Sequence, residues 1–451
     1  MTDAVDAVVE RVRGRVTPDA DERAALEAVV ETVVDRAGDA IADLPVEADV
    51  LHLGSTARNT WVAGDRDVDV FVRFPTSLDR EDLEAYGLQV GHAVLPDGHE
   101  EYAEHPYVVG ELEGFEVDLV PCYDVADPAA IRSAVDRTPF HNEYLAARLD
   151  AATAGEVRVA KQFLTGIGAY GSDLRTRGFS GFLVELLVLE YGDFRALIEA
   201  AADWHPPVEL DPEAHGTATF EDPLVVIDPT DPERNVAAVC SERNVARFQH
   251  YARALLAAPR EGLFDPTEPA PLAPDELAAT IEDRGTRPVA VRFDAPALVE
   301  DQLYPQLEKS LEGIAGALDR RGFDVLRAAA WAAESAVLYA DLAVVERPRV
   351  ERHEGPPVHV REHATSFFEK YAEDPSVTGP FVEGDRYVVE RPREFASARA
   401  FLESDAIFGV GLGADLQRSL SEGYEVLVGE EVTALVPEFG GELAAFYDPK
   451  P

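Results

Sequence analysis

Basic residues are scarce in this 451-residue chain: 40 Lys+Arg stand against 86 Asp+Glu, for a formal net charge of −46. Lysine is confined to Lys161, Lys309, Lys370 and Lys450. The basic footprint by which a nucleic-acid-binding surface is usually recognised is therefore missing. Cys122 and Cys240 are too few for a disulfide framework or a zinc site, and are expected to be buried small hydrophobes in a reducing interior. No run reaches the ~18 apolar residues of a membrane span. The acids within Met1 to Glu10 leave no apolar core for a signal peptide. These absences predict a soluble, cytoplasmic protein with no membrane partner.

What is abundant is evenly spread. Apolar residues make up 46% of the chain, enough for sizeable cores, and the length suggests about three domains at ~150 residues each. The acids run along the whole chain rather than gathering in a tail. With arginine replacing lysine, that pattern fits a cytoplasmic protein of a salt-accumulating archaeon, where carboxylates keep the surface hydrated. Salt also answers the objection to a nucleic-acid partner. At 1 M the Debye length is ~3 Å, so net repulsion is screened. Recognition would then rest on hydrogen bonds, stacking and shape, including the RNA 2′-hydroxyl.

The most informative segment is 54–74. Val50-Leu51-His52-Leu53 reads as a strand. Gly54 then lets backbone approach a phosphate, and Ser55 adds a hydroxyl and an N–H. Arg58 returns one helical turn later with a fork of donors suited to phosphate oxygens. From Asp67 the chain alternates, with Val68, Val70 and Val72 facing one way and Asp67, Asp69 and Phe71 the other. Two carboxylates on one strand face can share magnesium, a hard ion that prefers oxygen ligands. Asp118, in the strand-like run Phe115 to Pro121, is expected on an adjacent antiparallel strand beside that pair. A bare D-x-D carries little weight in so acidic a chain, and Asp19-Ala20-Asp21 is another one at a helix start. The upstream Gly-Ser turn and the later strand aspartate turn the match into a two-metal nucleotidyl-transfer site.

This arrangement resembles the nucleotidyltransferase fold of the polymerase β superfamily. More closely, it is similar to the archaeal (class I) CCA-adding enzymes, which are tRNA nucleotidyltransferases. Arg137-Thr138-Pro139-Phe140-His141, Lys161-Gln162-Phe163-Leu164, Tyr170-Gly171, Arg177 to Phe182 and Asp228 to Val236 extend the likeness in order from about 50 to about 345. One departure is Asp67, where some relatives carry Glu. The resemblance implies that Asp67, Asp69 and Asp118 bind Mg2+ and carry catalysis. It implies that Ser55, Arg58, His141, Lys161 and Tyr170 bind ATP or CTP. On the residues alone, Thr138-Pro139 reads as N-cap and first helical residue, which puts His141 in a first helical turn facing a phosphate or makes it an ordinary histidine. Lys161 lies on the inward stripe with Val157, Ala160 and Leu164, where a lysine either snorkels to water or points at an anion. Tyr170 either stacks on a base, hydrogen-bonds a phosphate or anchors a helix connection. Arg234 either meets a base edge or is a solvated loop arginine.

The expected class is α+β: a polymerase β-like palm over 1–140, a helical central domain over 141–260, and a ferredoxin-like C-terminal domain over 261–451 that docks tRNA. Thr17-Pro18 opens a long amphipathic helix carrying Leu26, Val29, Val33 and Ile41. The stretch 204–233, rich in Pro and Asp, reads as loop. The strands and helix at 289–345 run β-α-β-β. The expected activity is untemplated addition of C, C and A to the tRNA 3′ end from CTP and ATP. Its rivals are a poly(A) polymerase-like enzyme and a non-catalytic RNA-binding protein, and a homodimer is one candidate assembly.

Overall fold

The computed structural model describes residues 2–102 and 104–451. The chain divides into two compact units, one running to Thr267 and the other from Glu268 to Lys450.

In the first unit, α1 (Thr2–Val16) and α2 (Ala20–Ala42) precede β1 (Asp49–Leu53), the single turn α3 (Gly54–Ala57) and β2 (Asp67–Pro75). Next come α4 (Arg80–Val94), β3 (His99–Tyr102), β4 (Pro106–Leu112) and β5 (Phe115–Asp124). These strands form one sheet in the order β1-β2-β5-β4-β3. One face is covered by α2 and α4: Val68, Val70, Val72, Val117 and Leu119 pack against Leu26, Val29, Val33, Leu83 and Val90. That is the strand alternation read directly into burial. The other face holds a small apolar cluster of Leu53, Phe71, Val120 and Cys122. Beside it the carboxylates emerge.

Two expectations need correction here. The helix expected from Thr17 is α2, which starts at Ala20, and a further helix that was not expected, α1, precedes it. Asp19 caps α2 in a capping box with Glu22, so the chain must leave the helical conformation between Val16 and Ala20. The strand carrying Asp118 runs parallel to β2, not antiparallel. The chain between β2 and β5 passes through α4, β3 and β4, a connection long enough to let β5 enter in the same direction.

The rest of the first unit is mostly helical: α5 (Thr138–Ala146), α6 (Ala151–Gly166), α7 (Gly181–Tyr191) and α8 (Phe194–Ala202), then β6 (Val208–Leu210), β7 (Leu224–Asp228), β8 (Asp231–Asn235) and α9 (Glu242–Ala257). Ser180 and Ser241 cap α7 and α9 through side-chain hydrogen bonds to backbone N–H groups. The stretch expected as loop holds these three strands. Leu224, Val225, Val226 and Ile227 are all buried, so an apolar run outweighs the surrounding Pro and Asp. α1 belongs to this helical core rather than to the palm: Val5, Val8, Val9, Val12 and Val16 pack with Val157, Phe163 and Leu183.

The second unit contains α10 (Pro274–Arg284), β9 (Arg287–Asp294), α11 (Glu300–Arg320), β10 (Val325–Ala332) and β11 (Ser335–Leu342). An excursion follows: β12 (Val350–Pro357), α12 (Arg361–Tyr371), β13 (Thr378–Glu383) and β14 (Arg386–Pro392) build a separate three-stranded sheet in the order β12-β14-β13. The chain returns through α13 (Ala398–Leu402) and α14 (Ala414–Glu422) to β15 (Glu425–Val428) and α15 (Val436–Tyr447). The main sheet order, β10-β11-β9-β15, is antiparallel throughout and matches the ferredoxin-like expectation. Among the described residues no helix is long and apolar enough to cross a membrane.

Candidate active site

Asp69 and Asp118 are direct register partners on β2 and β5, and Asp67 pairs with Glu116 one step along. Neighbouring strands lie about 4.8 Å apart, so the sheet brings these carboxylates onto one face. They open into a cleft of about 540 Å³ whose lining includes Gly54, Ser55, Arg58, Lys161 and Tyr170. Of the eight residues expected at the site, seven line this cleft: Asp67, Asp69, Asp118, Ser55, Arg58, Lys161 and Tyr170.

Gly54 explains how the turn meets the acids. Its φ of +74° is left-handed, and a Cβ there would sit 1.8 Å from the Asp69 carboxylate oxygen Oδ2. Glycine is needed both for the backbone and for the carboxylate lying over it. The acids also feel one another. Burial, then the charge of Asp69, pushes the Asp118 carboxyl up to about 7. Burial also raises Asp69, with Arg58 opposing. Burial and adjacent Asp67 push Asp65 up to about 6. Crowded carboxylates that hold protons this tightly are groups a divalent cation would stabilise in their charged form. Among the described residues, no three His, Cys, Asp or Glu side chains already close on one point as a metal site. Their all-oxygen donor chemistry nevertheless suits a hard ion.

The cations enter from the helical side. Lys161 on α6 is almost wholly buried; burial lowers its pKa, and Glu185 supplies the largest opposing charge. Arg58 does not reach freely into the cleft. Its Nη2 and Nε donate to Glu185 at 2.9 and 3.3 Å, and Nη1 donates to Asn142 at 2.9 Å. Tyr170 is held in a bridge to Phe179, with its hydroxyl close to Gly181.

His141 stands apart from the cleft lining. Arg137, not Thr138, is the N-cap of α5: the preceding 3-10 turn runs on into the helix, so Thr138 is already helical. His141 Nε2 lies 2.8 Å from the Asp228 carboxylate, and its ring stacks on Phe182 at 3.9 Å between centroids. Phe182 lines the cleft, so His141 supports its wall. Burial lowers the His141 pKa, with the bond to Asp228 opposing. Asp228 also accepts from Arg234 at 2.8 Å and from the Thr230 hydroxyl and N–H. Burial alone would raise Asp228, but the His141 contact and these donors hold it well below the usual carboxylate range.

Three family models match the chain in order: "Nucleotidyltransferase domain" over 36–141, "tRNA nucleotidyltransferase, second domain" over 155–265, and "CCA-adding enzyme, C-terminal domain" over 284–429. The CCA-adding enzyme of Haloarcula marismortui is 62% identical with both chains covered in full. That of Halorubrum lacusprofundi is 61% identical, again with both covered in full. The Methanoregula boonei enzyme is 44% identical over 96% of this chain and 94% of its own. The chain belongs to the archaeal CCA-adding enzyme family. Nucleotidyltransferases of this family use divalent metal ions.

Two buried acids of this CCA-adding enzyme were not anticipated: Glu185 and Asp228. Each has a signal. Glu185 interrupts the apolar run Phe182 to Leu189, and Asp228 ends the apolar strand Leu224–Ile227. A charge so placed must find partners.

Proposed function

We propose that the protein transfers CMP, CMP and AMP in turn from CTP and ATP onto the tRNA 3′ end, without a nucleic-acid template, releasing pyrophosphate. The observation that carries this reading is the parallel Asp69–Asp118 pair lying against the Gly54–Ser55 turn, with Lys161 across the same cleft. In this reading Asp67, Asp69 and Asp118 hold Mg2+. When bound, the ions lower the pKa of the attacking ribose hydroxyl and neutralise charge on the leaving pyrophosphate. Ser55, Arg58 and Lys161 orient the triphosphate, Tyr170 closes that pocket, and His141 with Phe182 supports the wall facing the nucleotide. Catalysis falls to the palm, completion of the pocket to the helical part, and tRNA docking to the second unit. A cytoplasmic location belongs to the same reading, and so does a homodimer, which light scattering in molar KCl would test.

Labelled CTP and ATP, offered singly and together to tRNA trimmed of its last three nucleotides, test the proposal in molar KCl with magnesium. Two C additions from CTP and a final A only when ATP is also present support it. Long A tracts from ATP alone would favour a poly(A) polymerase. Activity in Asp118→Asn equal to that of the unaltered protein would sink the catalytic assignment.

A further inference from the structure

Glu185 lies on α7 with none of its surface exposed. A buried carboxylate carries a desolvation cost of several kcal/mol, and a well-packed apolar residue in its place is often as stable or more so. Stability alone therefore gives no reason for an acid here. Its partners do. Both carboxylate oxygens accept from Arg58, one also accepts from the Thr60 hydroxyl, and Lys161 Nζ lies 4.0 Å away. Arg58 and Lys161 come from separate elements, α3's end and α6, and both line the cleft. One acid between two cations leaves a net positive charge facing the carboxylate-lined side, where a polyanion with its metal would be received.

We propose that Glu185 is a positioning residue of the nucleotide site, holding Arg58 and Lys161 as a preset pair against the triphosphate of the incoming NTP. This deepens the reading under Proposed function and rests on it. Without the carboxylate, the Arg58 fork is fixed only by Asn142, and two buried cations face each other. Lys161 is met by Glu185, Asp65 and Asp69, which favour its charged form, and by Arg58, which opposes it. Loss of Glu185 removes the largest of the favourable contributions, so the ammonium sheds its proton at lower pH.

The test is Glu185→Gln in the full chain, with steady-state kinetics on trimmed tRNA and equilibrium binding of labelled ATP. The KM for both CTP and ATP should rise about tenfold or more, the size expected for hydrogen bonds to charged groups. The change in kcat should be smaller, and the basic limb of the pH profile should move to lower pH. A purely structural role would lower the unfolding midpoint and leave KM and the pH limb of the folded enzyme unchanged; that outcome overturns the proposal. Should Glu185→Gln not fold, Thr60→Val decides. It removes one donor to the carboxylate and should raise KM in the same direction, whereas an unchanged KM overturns the proposal. Failure of the unaltered protein to bind ATP would instead sink the nucleotidyl-transfer reading itself.

Discussion

Replacing Gly54 with alanine separates the cost to the fold from the cost to the chemistry. The residue has φ +74°, and a left-handed alanine costs roughly 1–2 kcal/mol. The added methyl would meet Asp69 Oδ2 at 1.8 Å. It would also meet Asp69 Cγ at 2.7 Å and Cβ at 3.1 Å, so the carboxylate must rotate away and Cβ must give by a few tenths of an ångström. Rotation, however, takes the carboxylate off its place beside Asp118. A displacement near 1 Å can cost about 100-fold in rate. Gly114, in the β4–β5 hairpin, supplies the control: its φ is +81°, yet a Cβ there meets only Arg66 Nη1 at 3.4 Å. Denaturant unfolding should show similar losses of about 1–2 kcal/mol for Gly54→Ala and Gly114→Ala. CTP incorporation into trimmed tRNA should fall about 100-fold for Gly54→Ala alone. Equal activity in the two variants would refute the argument that the glycine makes room for the Asp69 carboxylate.

Asp118, pushed up to about 7, holds its proton more tightly folded than in the unfolded chain, where the value is ~3.9. Its stabilising contribution is complete below about pH 4 and is lost as pH rises to about 7. Urea unfolding without divalent cations should show that decline, and Asp118→Asn should flatten it. Asp228→Asn weakens the hub joining His141, Arg234 and Thr230, and breaking a buried pair costs about 3–5 kcal/mol. A thermal melt with no such loss would remove Asp228 from its bracing role. Val12→Ala should cost about 2 kcal/mol by denaturant unfolding, since Val12 is fully buried in the helical core.

Sequence legibility followed locality. The alternation at 67–74 and the Gly54 turn each depend on a few neighbouring residues, and both could be read. The direction of β5 depends on how the intervening chain crosses the sheet, so the Asp118 strand was given the wrong sense although its placement beside Asp69 held. α1 was missed because its valines acquire meaning only against α6 and α7, far along the chain. β7 was hidden because Pro and Asp on both sides dominate the local composition. The partners of Glu185 could not be read at all: Arg58 and Lys161 approach it from distant segments.

The placement of α1 also bears on how the chain is made. Its valine stripe leaves the ribosome before α6, which begins about 130 residues later. At roughly 5–20 residues per second, that helix waits on the order of 7–26 s for its partner. During synthesis it is an orphaned apolar surface that a chaperone or a sister chain could capture.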